Sequence, residues 1–379
     1  MALSNNQQAF FSLLRAGLWE KGVRLSPYGD VDFSEVLKLA EEQSVVGLIA
    51  AGLERVTDVK LAKKDVLQFI GQTLQLEERN KAMNYFIGVL VDKMRDAGIY
   101  TLLVKGQGIA QCYEKPLWRS CGDVDFLLGS DNFEKAYSFL TPLAQHVDRE
   151  ESYSRHIGMT IDPWVVELHG SLRCGLSPKM DKSIDELQAD CFERGNVRSW
   201  RNGDTDIFLP GVDHDILFIF THYLKHLYKG GIGLRQICDW CRLLWTYREK
   251  IDVALLKKRL REMGLMSEWK VFGAFAVEYL GMPIEAMPVL NDNGNEWELG
   301  GSLRRKAGRI CSFIMEVGNF GHNRDTSYYS KCPFLIRKTI SMGWRIGDLF
   351  RHATIFPLDS FRFFPKLMFD GIRSAIKGE

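Results

Sequence analysis

The 379-residue sequence predicts an α+β fold, a small mixed β-sheet core flanked by N-terminal and C-terminal helical units. Three observations predict it. Apolar residues recur at 3–4 spacing up to about residue 97, short β-rich runs punctuated by Gly, Pro and Asp replace that period as far as 210, and the helical period then returns. The expected units are therefore 1–97, 98–210 and 211–379, each able to bury its own apolar face.

In the first unit, "SNNQQAFFSLLRAGLW" opens on Ser/Asn, and "DFSEVLKLAEEQSVVGLIAAGLERV" keeps the same period. A long amphipathic helix over "LAKKDVLQFIGQTLQLEERNKAMNYFIGVLVDKMRDAG" should stop at Gly98. "IYTLLV" (99–104) reads as a strand, "QGIAQCYE" as helix, "VDFLLG" as a second strand, and "DNFEKAYSFLTPL" as a helix capped by Asp or Asn. "RHIGMTI" and "WVVELHG" flank Asp162-Pro163, a turn signal, and so form a hairpin. The third unit holds four helical segments between 213 and 281, a polar loop over 289–302 and an aromatic, increasingly basic tail.

Composition bounds the function. A formal net charge of +1 gives no bulk field toward nucleic acid, so an anionic ligand must be recognised locally. The first residues lack the pattern of a secretory signal, and no apolar run reaches the roughly 18 residues of a membrane span. Eight cysteines scattered through a large chain read as buried reduced thiols, and cytoplasmic residence is expected.

The chemistry concentrates in "LLVKGQGIAQCYEKPLWRSCGDVDFLLG". Strand side chains alternate faces, so Asp123 and Asp125 point the same way and form a clamp suited to a hard divalent ion such as Mg²⁺. Lys105-Gly106-Gln107-Gly108 follows a strand and opens a helix, a setting that favours phosphate. Arg119 brings a planar, permanently charged fork for a triphosphate. Glu167 and His169 share one face of a later strand, and a third carboxylate there completes a phosphoryl-transfer site. Taken singly, each piece also fits a solvated strand end, a tight turn or a surface charge.

Together these residues resemble the nucleotidyltransferase superfamily of the DNA polymerase β-like fold, and more closely its bacterial uncharacterised nucleotidyltransferase family. The matching motifs are Lys105-Gly106, then Tyr113, Pro116 and Arg119, then Asp123 and Asp125, then Glu167-Leu168-His169. A His-rich helix with His222 and His226, followed by Arg235 and Asp239, extends the likeness over about 100–245. The resemblance implies that 98–210 is the nucleotidyltransferase core. Asp123 and Asp125 would hold Mg²⁺, with Mn²⁺ the alternative, and Glu167 would be the third ligand or the general base.

The implied reaction moves an NMP group from an NTP to a hydroxyl of a small-molecule, sugar or peptide acceptor. Lys105, Gly106, Gln107, Gly108, Arg119, His169, His226 and Arg235 are the nucleotide-binding candidates. Gln107 departs from the superfamily's Gly or Ser after the first Gly, so Lys105, Gly108 or the helix N-terminus are the alternatives for placing phosphate. The competing reading is a catalytically silent nucleotide-binding or scaffold protein of the same fold.

Three features lie outside that scheme. His222, His226, Cys238 and Cys241 have the spacing of a Zn²⁺ set, but "ICDWCRLLW" has helical period and no knuckle glycine. Lys225 and Lys229, one turn apart on the same helix, face either a triphosphate or solvent. The tail "IFPLDSFRFFPKLMFDGIRSAIKG" interleaves Phe with Lys and Arg, which suits an anionic membrane surface or a protein partner.

Overall fold

A computed structural model describes residues 3–150, 155–290, 299–325, 327, 329 and 332–377. Its helices are α1 (Asn5–Trp19), α2 (Phe33–Glu42), α3 (Val46–Leu53), α4 (Lys63–Asp96), α5 (Gly106–Ala110), α6 (Ser130–Leu140) and α7 (Pro178–Glu193). They continue with α8 (Val212–Lys229), α9 (Leu234–Thr246), α10 (Val253–Met263), α11 (Met266–Glu278), α12 (Gly301–Val317), α13 (Phe334–Ala353) and α14 (Pro357–Lys377). The strands are β1 (Thr101–Val104), β2 (Asp123–Leu128), β3 (His146–Val147), β4 (His156–Ile161), β5 (Trp164–His169), β6 (Val197–Asn202) and β7 (Thr205–Pro210). The α+β class predicted from periodicity is the class observed.

The main sheet runs β1-β2-β5-β4-β3 and is mixed: β2 lies parallel to β5, and the other neighbours are antiparallel. Its two faces do different work. Leu103, Val124, Phe126, Leu128, Val166 and Leu168 project to one side, into a core closed by Met83, Ile87 and Met94 of α4 and by Phe133 and Leu140 of α6. The alternate residues Leu102, Val104 and Leu127 join a larger core that runs from α1 and α2 through α7–α12. Because the strand period is two, Asp125, Glu167 and His169 fall on this second face, toward the later helices.

Local signals explain most elements. Ser4 caps α1 through a reciprocal box with Gln7. The Asp162-Pro163 turn sets the β4–β5 register, pairing Ile161 with Trp164 and hence His156 with His169.

The structure also corrects several details. The cap of α6 is Gly129 without a side-chain bond, so Asp131 sits in the first turn, where its charge meets the helix dipole. The segment after Lys105 is a single turn. Helix α7 and the β6–β7 hairpin were not anticipated. Of the polar loop expected over 289–302, residues 291–298 lie outside the described residues, and α12 begins at Gly301. Among the described residues no helix is long and apolar enough to cross a membrane.

Candidate functional site

Strands β2 and β5 place the acidic residues. Parallel pairing sets Asp125 directly beside Glu167, and Asp123 precedes Asp125 on the same face. One carboxylate oxygen from each of Asp123, Asp125 and Glu167 lies within 4.8 Å of the others. Antiparallel pairing of β1 brings Val104 opposite Asp125, and the chain turns sharply at the next residue. Lys105 has φ 56° and ψ −144°, a conformation that costs a non-glycine residue on the order of 1–3 kcal/mol. Its Nζ then meets Asp125 Oδ1 at 2.6 Å.

Two histidines complete the cluster. His169 Nε2 is 2.9 Å from Asp125 Oδ1 and 3.4 Å from Glu167 Oε2. His156 Nε2 approaches the same Glu167 oxygen at 3.2 Å. Its ring stacks on His169 with centroids 4.7 Å apart. His156 escaped sequence reasoning, although the hairpin register implied by Asp162-Pro163 already put it opposite His169.

Charge in this cluster is strongly coupled. Burial pushes the Asp125 carboxyl up, with Asp123 adding to it, and Lys105 and His169 do not fully offset the rise. Burial also pushes Glu167 up, but the imidazoles of His156 and His169 close to it, with Lys105 beside them, outweigh it and hold Glu167 far below the usual carboxylate range. Burial pulls Lys105 and His169 down, yet the surrounding carboxylates leave both above their ordinary values. Glu167 is thus held low, and Lys105 and His169 high, by one another's charge.

Lys105, Asp123, His156, Glu167 and His169 form the floor of a cleft of about 310 Å³, Asp125 being buried beside them, and the other wall is built from α8 and α9. His222 and His226 meet there through their Nε2 atoms at 3.0 Å, which requires one neutral ring as acceptor. Burial, with Lys105 near His222 and Lys225 near His226, drives both below their ordinary values, His226 to about 3. Lys225 also reaches the cleft, and among the described residues no carboxylate lies within ion-pair distance of it.

Arg235 reaches the cleft too, donates to the Ser120 carbonyl at 2.8 Å, and has a buried Nε without a partner. The glycines before it serve packing. A Cβ on Gly231 (φ 131°) would lie 2.8 Å from the Gly318 carbonyl oxygen and 2.7 Å from Val317 Cγ1. That close approach seats Phe320 on the cleft wall, its ring 4.8 Å from His226. No sequence signal had singled out Phe320.

The remaining candidates separate by position. Lys105, Gly106, Arg119, His169, His226 and Arg235 line the cleft. Arg119 is buried and committed to Asp239 through Nε at 3.0 Å and Nη2 at 2.6 Å, and Tyr113 donates to the same carboxylate at 2.8 Å. Gln107 and Gly108 do not line the cleft. Gln107 is buried and donates to Asn80 Oδ1 at 2.8 Å, while a Cβ on Gly108 would collide with Leu209 at 2.8 Å. Cys238 and Cys241 are fully buried, and no metal-ligand group among the described residues contains either of them.

No curated protein and no solved structure matches the chain. A family model does, over residues 29–281, which include both walls of the cleft apart from Phe320. The chain belongs to the family described as uncharacterised nucleotidyltransferase, and a nucleotidyltransferase role follows at that level.

Proposed function

We propose that the protein moves an NMP group from an NTP to a hydroxyl of a small-molecule, sugar or peptide acceptor. The acceptor hydroxyl gives its proton to Glu167 or through it to water, its oxygen bonds to the α-phosphorus, the bond from that phosphorus to the bridging oxygen breaks, and pyrophosphate leaves. The observation that carries this reading is the convergence of Asp123, Asp125 and Glu167 on two adjacent parallel strands, with Asp123 and Glu167 lining a cleft and Asp125 buried beside them.

The donor set fits Mg²⁺. Asp125 Oδ2 is buried without a hydrogen-bond partner, a group that ordinarily finds one. Asp123, Asp125 and Glu167 would hold the ion, and all three offer the hard oxygen that Mg²⁺ prefers. Bound there, Mg²⁺ neutralises phosphate charge as it develops in the transition state.

The chain's own residues supply the rest. Glu167 serves as the third ligand or as the base that takes the acceptor proton, and its carboxylate is held ionised for either task. Lys105, Lys225 and Arg235 bring fixed positive charge to the triphosphate from both walls. Arg119 positions the wall by its pair with Asp239. A cleft of this size suits a nucleotide and a small acceptor, not a duplex. The eight free cysteines, seven of them buried, suit a reducing cytoplasm.

The test is Asp123→Asn combined with Asp125→Asn, assayed for pyrophosphate release from NTP and Mg²⁺ in the presence of acceptor mixtures. Turnover should fall by at least about 10³-fold with the melting profile retained, and turnover equal to wild type would refute the assignment. Metal-linked NTP binding by calorimetry without any pyrophosphate release would assign the silent binding protein instead.

We also infer that α14 meets an anionic lipid surface. Phe363 and Leu367 pack inward, while Leu358, Phe361, Phe369 and Ile372 are exposed. At 100° per residue these four share a stripe roughly 80° wide, bordered on one side by Arg362, Lys366 and Arg373.

A further inference from the structure

We propose a second cation position in the same cleft, ligated by His156 Nε2, His169 Nε2 and Glu167 Oε2 and selective for a borderline divalent ion, Zn²⁺ by preference, over Mg²⁺. These three donors lie within 4.8 Å of one another. The position rests on the hairpin alone and would exist whether or not the protein transfers nucleotides.

The distances carry the proposal. Charge-assisted hydrogen bonds between imidazole and carboxylate run at about 2.7–2.9 Å. Here the two nitrogens stand 3.2 Å and 3.4 Å from Glu167 Oε2, beyond that range, while His169 Nε2 keeps one contact within it, 2.9 Å to Asp125 Oδ1, which a bound ion would replace. The two longer separations match edges of a coordination polyhedron. With Zn–N near 2.05 Å and Zn–O near 2.1 Å, a tetrahedron has ligand-to-ligand edges of roughly 3.3–3.5 Å. His156 Nε2 is, in addition, a buried atom with no properly aligned hydrogen-bond partner despite that approach.

The backbone builds the arrangement rigidly. His156 and His169 are directly opposed across β4 and β5, and Glu167 is two residues before His169 on the same face. Two imidazole nitrogens with one carboxylate favour Zn²⁺, Co²⁺ or Mn²⁺, whereas Mg²⁺ prefers the all-oxygen set next to it. Both sets share Glu167, so the two positions are adjacent. All three ligands line the cleft, and a three-ligand site leaves a vertex facing it, the feature that separates open zinc sites from closed structural ones. The ligand for that vertex is a water or an acceptor hydroxyl.

The test needs neither nucleotide nor turnover. Chelator-treated full-length protein is titrated with Co²⁺ in 10 mM-scale Mg²⁺ and followed by the visible absorption of the bound ion, then back-titrated with Zn²⁺. Wild type should take up one Co²⁺ that Zn²⁺ displaces and Mg²⁺ does not. His156→Gln and His169→Gln should each weaken uptake by about 10–100-fold. Asp123→Asn, outside this ligand set, should retain the absorption. No Co²⁺ uptake by wild type, displacement by Mg²⁺, or equal uptake by His156→Gln would overturn the proposal. Because Asp123→Asn removes a ligand of the proposed Mg²⁺ position and none of this one, failure of one reading is separable from failure of the other.

Discussion

At the scale of single residues, Gln107 shows how a motif position can be structural. It follows Gly106 where related sequences suggest a phosphate ligand, yet its amide points into the protein and donates to Asn80. Asn80 is fully buried on α4, and its own amide donates to the carbonyls of Leu117 at 2.7 Å and Arg119 at 2.8 Å. One side chain thus fixes both the turn after β1 and the approach to β2, which carries Asp123 and Asp125. Asn80→Ala should cost about 2–4 kcal/mol, since it removes three buried bonds and strands two carbonyls and an amide. Urea unfolding measures this, and a loss below about 0.5 kcal/mol would show that the network is dispensable. The carboxylates were legible in the sequence because strand alternation dictates their shared face. Asn80 was not, because nothing local to a long helix announces which distant carbonyls one of its polar residues will meet.

At the scale of elements, legibility followed turn chemistry. The β4–β5 hairpin was readable from Asp162-Pro163, and the long α4 from its period and from Gly98. The β6–β7 hairpin was missed although Gly203, at φ 59°, lies in a two-residue connection between Asn202 and Thr205. Its strands carry Arg198, Trp200, Asp206 and Phe208 on a half-exposed pair, so alternation was blurred by polar residues. Helix α14 was read as a tail and is in fact a docked helix with two apolar faces. The inner one belongs to the core, and the outer stripe is exposed among the described residues. Sedimentation with vesicles containing phosphatidylserine should carry down the wild type and leave behind a Leu358→Glu, Phe361→Glu, Phe369→Glu variant of unchanged melting temperature. Equal binding to neutral vesicles would remove the role given to Arg362 and Arg373.

At the scale of the whole molecule, buried charges tie distant stretches of chain together, and they make stability depend on pH. Arg119 with Asp239 joins the approach to β2 to α9, and Arg242 of α9 reaches the Leu18 carbonyl at the end of α1. The late helices are fastened differently. Glu268 of α11 is completely buried, accepts a bond from Tyr228 of α8 at 3.3 Å, and lies near Asp359 of α14. Burial, with Asp359 adding to it, raises its carboxyl from 4.5 to about 8. A carboxyl raised in the folded state binds its proton more tightly there than in the unfolded chain. Its contribution is therefore complete below pH 4.5, declines as pH rises, and is gone above about pH 8. Glu268→Gln keeps the shape of the neutral acid and cannot ionise. The variant should melt with wild type at pH 4.5 and roughly 2–6 °C above it at pH 9, the difference opening across that window. Scanning calorimetry at half-unit steps reads this directly. Parallel curves for the two proteins would mean that Glu268 is ionised and compensated in the fold, and that α14 is held by the packing of Phe363 and Leu367 and by the bonds of Arg362 to Ser177 and the Met263 carbonyl.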